Sequence, residues 1–241
     1  FRVLDLLRTR ARQGHRTMAW PDAPASLPDR LRGLPAIDAG LCPDGCRACQ
    51  DACPTNAITL DPVRLDLGRC LFCTDCAQAC PTGAVRFTDD YRLATRSREA
   101  LVLGERELER AAALNSTIQA LFGRSLRLRQ VSAGGCNACE ADVNVLSTIG
   151  WDLGRFGIQM VASPRHADGL LVTGPVTRNM ELALRKTWEA MPDPKVAIAV
   201  GSCAISGGLF TDPATTASGA DSLLPLDLYV PGCPPHPLSI L

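Results

Sequence analysis

The 241-residue chain is 46% hydrophobic and carries as many acidic as basic side chains, 25 of each. That length supplies one large or two modest cores, and the balanced charge provides no overall field to attract nucleic acid, a membrane surface or an acidic substrate. No apolar run reaches the roughly 20 residues that cross a bilayer, and the arginine-rich first residues lack the cleavage pattern of a signal peptide. Residues 1–16, FRVLDLLRTRARQGHR, read as a basic amphipathic segment suited equally to a membrane surface or to a neighbouring subunit. The chain begins at Phe1 and stops within PHPLSIL, so the natural polypeptide is expected to extend past both ends.

Twelve cysteines are the dominant feature of the sequence. They fall into C-x2-C pairs and triplets, which suit one metal centre better than a bridge, because thiols on one tight loop can all face a single ion or cluster. The segments CRACQDACPTNAITL (46–60) and CTDCAQACPTGAVRF (73–87) align at an offset of 27, so one unit is used twice. The second copy, Cys70, Cys73, Cys76 and Cys80 followed by Pro81, is the bacterial ferredoxin run C-x2-C-x2-C-x3-C-P, in which the fourth cysteine serves the other cluster. The expected pairing is therefore Cys42, Cys46, Cys49 and Cys80 on one 4Fe-4S cluster, with Cys70, Cys73, Cys76 and Cys53 on the other. Cys42 lies four residues before Cys46, which lengthens the loop at the first ligand. Zinc knuckles use similar pairs, but they account neither for the proline-terminated fourth cysteine nor for the duplication.

This front segment resembles the two-cluster ferredoxin subunit of complex I and of formate hydrogenlyase. The stretch TMAWPDAPASLPDRLRGLPAID (17–38) is similar to the lead-in of those subunits, with Trp20 where tyrosine is usual. Residues 96–124 then carry a charged pattern in which Leu108, Ala111, Leu114, Ile118 and Leu121 recur at spacings of three and four, which predicts a linker helix.

Beyond the linker the period changes. LRLRQV (126–131), IQMVAS (158–163), GLLVTG (169–174), KVAIAVG (195–201) and LDLYVPG (226–232) read as strands separated by helical stretches such as 178–190, the pattern of a parallel sheet. Cys136 and Cys139 follow the first of these strands, Cys203 the fourth and Cys233 the last. All four lie beyond carboxyl ends of strands, the edge where an open α/β sheet builds its sites, so a third cluster is expected there. A structural zinc would more usually draw on two C-x2-C knuckles than on one pair and two singles.

GGCNACEADVNVL, RFGIQMVASPRHADGLLVTGPVTRNM, PDPKVAIAVGSCAISGG and VPGCPPHP resemble the small electron-transfer subunit shared by complex I and the membrane-bound group 4 NiFe hydrogenases, over residues 126–241. Complex I would place two cysteines side by side in the first motif, whereas Cys136-x2-Cys139 is the hydrogenase spacing. The resemblance implies a flavodoxin-like sheet and a cluster proximal to the active site of a separate large subunit. It also implies other redox subunits or a donor protein, integral membrane subunits, and attachment to the cytoplasmic face of the inner membrane through them.

The expected organisation is α/β in two domains: an α+β two-cluster ferredoxin at 1–95, a linker helix at 96–125 and a cluster-bearing parallel-sheet domain at 126–241. The chain has no phosphate-cradling loop and no nucleophile beside a base, so it is read as an electron relay within an oxidoreductase, with no catalytic residue of its own. The leading expectation is a formate hydrogenlyase-like hydrogenase; the alternatives are the same relay in a nickel-free, quinone-reactive, ion-translocating complex, and a non-redox zinc scaffold. His166 is expected to be held by Arg165 and Asp168, Glu140 to cap or pair at a helix start, and Asp142 stands where the family more often has glutamate.

Overall fold

The computed structural model describes residues 3–104, 108, 110 and 125–241. Helix α1 (Val3–Gln13) stands apart, burying none of its residues. A lead-in then straps both halves of the molecule: Trp20 Nε1 donates to Tyr91 Oη at 2.9 Å, while its ring meets Phe156 at 5.5 Å and Arg155 donates to its carbonyl at 2.6 Å.

The front half follows the sequence duplication. Strands β2 (Ile58–Leu60) and β4 (Val85–Phe87) occupy equivalent positions in the two copies, as do the short helices α2 (Ala48–Asp51) and α3 (Asp75–Ala79). β4 pairs antiparallel with β1 (Pro35–Ile37), and β2 with β3 (Val63–Asp66). The copies thus contribute one strand to each of two small sheets.

Here the expected linker departs from the structure. Residues 99–101 form a 3-10 turn, and Val102–Leu103 form strand β5, which pairs antiparallel with β3 and belongs to the front sheet. Charge alternation gives this stretch a helical reading, but Leu101 is fully buried and the open edge of β3 supplies backbone partners. Leu108 packs against the front core; Ala111, Leu114, Ile118 and Leu121 of the expected helix lie outside the described residues.

The rear half is an open sheet of five parallel strands: β6 (Leu126–Ser132), β7 (Ile158–Met160), β8 (Gly169–Thr173), β9 (Val196–Val200) and β10 (Leu228–Val230). Their spatial order, β10-β9-β8-β6-β7, corresponds to the flavodoxin-like order 2-1-3-4-5. Central strand β8 is buried throughout, with Leu170 and Val172 in one apolar layer and Leu171 in the other, as alternate residues of a doubly covered strand must be. Four helices accompany the sheet: α4 (Ala138–Val145), α5 (Arg178–Glu189), α6 (Ser202–Ser206) and α7 (Pro237–Ile240).

The two halves share a core. Ala199, Ala204, Ile205 and Tyr229 of the rear pack in one buried cluster with Leu65, Leu67, Phe72, Val85 and Leu101 of the front. Among the described residues no helix is long and apolar enough to cross a membrane.

Candidate iron-sulfur site

Four of the twelve thiols share one local setting. Cys49, Cys76, Cys139 and Cys203 each occupy the second residue of a short helix. The other eight lie on connecting loops, where they can approach from different directions.

In the front half the thiols cross between the copies. Cys53, Cys70, Cys73 and Cys76 line one small apolar cavity with Ile58, Leu65 and Phe87. Burial pushes the Cys70 thiol up to about 12, and neighbouring Cys76, Cys53 and Cys73 push in the same direction while the Phe72 N–H, 3.3 Å from Cys70 Sγ, opposes. Burial takes Cys76 to about 11, again with Cys73 and Cys53 beside it. Cys53 thus faces the thiols of the second copy. Cys49 has its counterpart arrangement, raised by burial and then by Cys42, with Cys80 also facing it. Cys46 lies on the turn between Cys42 and Cys49, closed by its N–H on the Pro43 carbonyl at 3.1 Å.

The crossing cysteines Cys53 and Cys80 are held alike. Ala57 N–H donates to Cys53 Sγ at 3.2 Å, with Thr55 Oγ1 at 3.8 Å. Cys80 is drawn down to about 7 by the backbone N–H groups of Thr82 and Val85, with the Thr82 hydroxyl at 3.7 Å. Such donors stabilise a thiolate, the form that binds metal.

In the rear half the thiols from three loops converge at the carboxyl edge of the sheet. Cys139 is raised by burial first, then by Cys203, Glu140, Cys233 and Cys136; Cys203 is raised to about 11 by burial, then by Cys233 and Cys136. Gly201 makes room for this approach. Its φ is +91°, and a Cβ there would stand 2.5 Å from Cys139 Sγ. Cys136 and Cys233 remain exposed, so the group opens to the surface.

The Cys53/Cys70/Cys73/Cys76 group neighbours both of the others: Cys49 adds to the electrostatic surroundings of Cys76, and Cys73 to those of Cys233. The chemistry of this donor set suits iron-sulfur clusters: it offers grouped cysteine sulfur in part-apolar surroundings, with backbone N–H groups donating to the sulfur of Cys53, Cys70 and Cys80.

Other singled-out residues find different places. Glu140, 6% exposed, stands in the first turn of its helix and accepts hydrogen bonds from Thr173 Oγ1 at 2.6 Å and Ser132 Oγ at 2.7 Å, so it ties α4 to strands β6 and β8. Burial would raise its carboxyl, but the two hydroxyls together with its own backbone N–H outweigh burial and leave it below the usual range. Asp142 lines a cleft between the halves with Arg32, Cys233 and His236, and burial raises its carboxyl. His166 is exposed on a 3-10 turn that enters β8 from its amino end, opposite the thiol edge, and Asp168 accepts from the Arg127 N–H at 2.9 Å. Sequence reasoning missed Ser202 and Ser206, which flank Cys203 at helical spacing and bond to the front half. Their i, i+4 relation in GSCAIS was the available signal.

The fold and the thiol array define an iron-sulfur protein. Residues 42–84 match the 4Fe-4S dicluster domain family and residues 136–241 the family described as NADH ubiquinone oxidoreductase, 20 Kd subunit. The chain is 42% identical over 133 residues to formate hydrogenlyase subunit 7 of Escherichia coli, covering 55% of this chain and 52% of that protein. It is 44% identical over 120 residues to a probable membrane-bound hydrogenase subunit of Pyrococcus furiosus, covering 50% and 72%. Against NADH-quinone oxidoreductase subunit 6 of Thermus thermophilus the identity is 41% over 138 residues, covering 56% and 75%. The chain therefore belongs to the family of the 20-kDa NADH:ubiquinone oxidoreductase subunit, with a dicluster segment ahead of the family's matched region. It spans about half the length of the formate hydrogenlyase subunit.

Proposed function

We propose that the chain binds three 4Fe-4S clusters and relays electrons to or from the active site of a separate large subunit, in a membrane-bound, formate hydrogenlyase-like NiFe hydrogenase. The ligand sets would be Cys42, Cys46, Cys49 and Cys80; Cys53, Cys70, Cys73 and Cys76; and Cys136, Cys139, Cys203 and Cys233. One observation carries the reading: Cys49, Cys53, Cys70, Cys76 and Cys80 gather at one buried core, the helix that bears Cys203 is bonded to the Cys70 carbonyl, and Cys136 and Cys233 open the rear group to the surface.

When bound, the clusters supply one-electron storage and transfer. The chain's residues supply the rest. Ala57 and Thr82 N–H groups stabilise the crossing thiolates, Ile58, Leu65 and Phe87 exclude water from the middle group, and Gly201 lets Cys139 close on its partners. Exposed Cys136 and Cys233 leave the rear group accessible to a second protein. Membrane attachment would be peripheral, at the cytoplasmic face and through other subunits.

The Cys136-x2-Cys139 spacing favours the hydrogenase, while the likeness to the Thermus subunit supports a second reading, the same relay in a nickel-free quinone-reactive complex. Metal analysis tests both. Anaerobically purified chain should hold about twelve iron and twelve sulfide with negligible zinc, and nickel in the isolated complex decides between the readings. Stoichiometric zinc with little sulfide would reject the relay.

A further inference from the structure

Helix α6 carries Cys203, yet one of its faces belongs to the front half of the molecule. Ser202, only 1% exposed, donates from Oγ to the Cys70 carbonyl at 2.6 Å. The same Oγ lies 3.1 Å from the Gly232 carbonyl, but that carbonyl already receives the Ser202 N–H at 2.8 Å. One turn later Ser206 Oγ donates to the Gly68 carbonyl at 2.8 Å. Between them Ile205 rests on Gly68, where a Cβ would stand 2.8 Å from Ile205 Cγ2. Positions 202, 205 and 206 form one helical face, and that face seats on the loop that leads into Cys70.

Ser202 therefore touches the backbone of three cysteine-bearing segments: its own, the residue before Cys233, and Cys70 itself. Cys70 belongs to the middle thiol group, Cys203 and Cys233 to the rear. The joint is buried, since Ala204 and Ile205 share one core with Leu67, Cys70 and Leu101. A buried carbonyl that loses its donor keeps its full desolvation cost, so removing either hydroxyl drives the loop to move until another donor is found.

We infer that Ser202, assisted by Ser206, is a positioning residue that sets the separation and orientation of the middle and rear thiol groups, and with them the electron step between the two. The inference rests on the proposed relay. It differs from a stabilising role in what it moves: the distance between two redox groups, with the occupancy of each unchanged.

The test uses the full chain, purified anaerobically, as wild type, Ser202→Ala/Ser206→Ala, Ser206→Ala alone and Ser206→Thr. Three readouts apply: iron and sulfide content, the spin-spin splitting between the reduced middle and rear clusters, and the rate at which an electron equilibrates between them. Expected is full iron and sulfide in every variant, with the splitting diminished and equilibration slowed in both alanine variants and retained in Ser206→Thr. Should the double variant fail to fold, Ser206→Ala carries the same reading. Loaded alanine variants with wild-type splitting and rate overturn the inference even if their Tm falls, because that pattern is stabilisation alone. A wild-type chain without iron overturns the relay reading, and the inference with it.

Discussion

Thr95 and Tyr229 exchange two backbone hydrogen bonds, Thr95 N to the Tyr229 carbonyl at 3.0 Å and Tyr229 N to the Thr95 carbonyl at 2.9 Å. The front half thereby covers the β10 edge of the rear sheet, and Tyr229, 5% exposed, packs in the shared core with its hydroxyl on Asp221 at 2.8 Å. An edge strand without such cover invites association. A chain lacking residues 1–95 is expected to bind a hydrophobic dye and to aggregate, with a Tm well below that of the whole chain. Tyr229→Ala in the whole chain should cost about 3 kcal/mol, read from the shift in urea midpoint. An unshifted midpoint would show that the halves stand independently.

The crossing of thiols makes a sharp genetic expectation. Cys53→Ser should damage the cluster built on Cys70, Cys73 and Cys76, and Cys80→Ser the one built on Cys42, Cys46 and Cys49. Electron paramagnetic resonance of the two single variants separates the cases. Damage confined to each cysteine's sequence neighbours would refute the assignment.

Gly201 has no space for a side chain, since a Cβ would press on Cys139 Sγ in a backbone conformation that L-residues avoid. Gly201→Ala should leave the front clusters intact and empty the rear one, so that iron falls by about four of twelve per chain. Full iron with an unchanged rear signal would contradict the close approach.

Asp90 accepts from Arg92 Nε at 2.9 Å and from Arg110 at 2.6 Å, and hydrogen bonding from Arg92 holds its carboxyl below the usual aspartate range despite burial. A depressed folded pKa contributes stability that is present above the unfolded value and lost as pH falls through the folded one. Because Arg92 is 64% exposed, the network is partly screened, and Asp90→Asn should cost about 1 kcal/mol at pH 7 in low salt. Urea melts of the two proteins should begin to converge below about pH 4, meet as pH falls through the depressed folded value, and converge also in about 1 M salt. A difference that persists at low pH would trace the cost to packing.

What could be read along the chain was what repeats along the chain. The 27-residue offset marked Cys53 and Cys80 as equivalent, and structure keeps them equivalent, each with a threonine two residues on and an alanine four residues on beside its sulfur. Alternating and continuous apolar runs marked all five rear strands, because a strand buried on both faces must be apolar at nearly every position. Twelve thiols in these spacings were enough to point to iron-sulfur chemistry.

Other features needed the chain to close on itself. Val102–Leu103 became a strand because β3 had an open edge to fill, which the local charge pattern did not report. Glu140 is a helix-start acid, but its partners Ser132 and Thr173 are brought to it only by strands β6 and β8. The meeting of the halves is of the same kind: Ser202 and Cys70 are 132 positions apart, and nothing in their sequence neighbourhoods couples them. Periodicity and propensity express what each segment does against water and its own backbone. Which segments then face one another, and so how far the rear thiols stand from the front ones, is decided only when burial of a common core forces distant surfaces together.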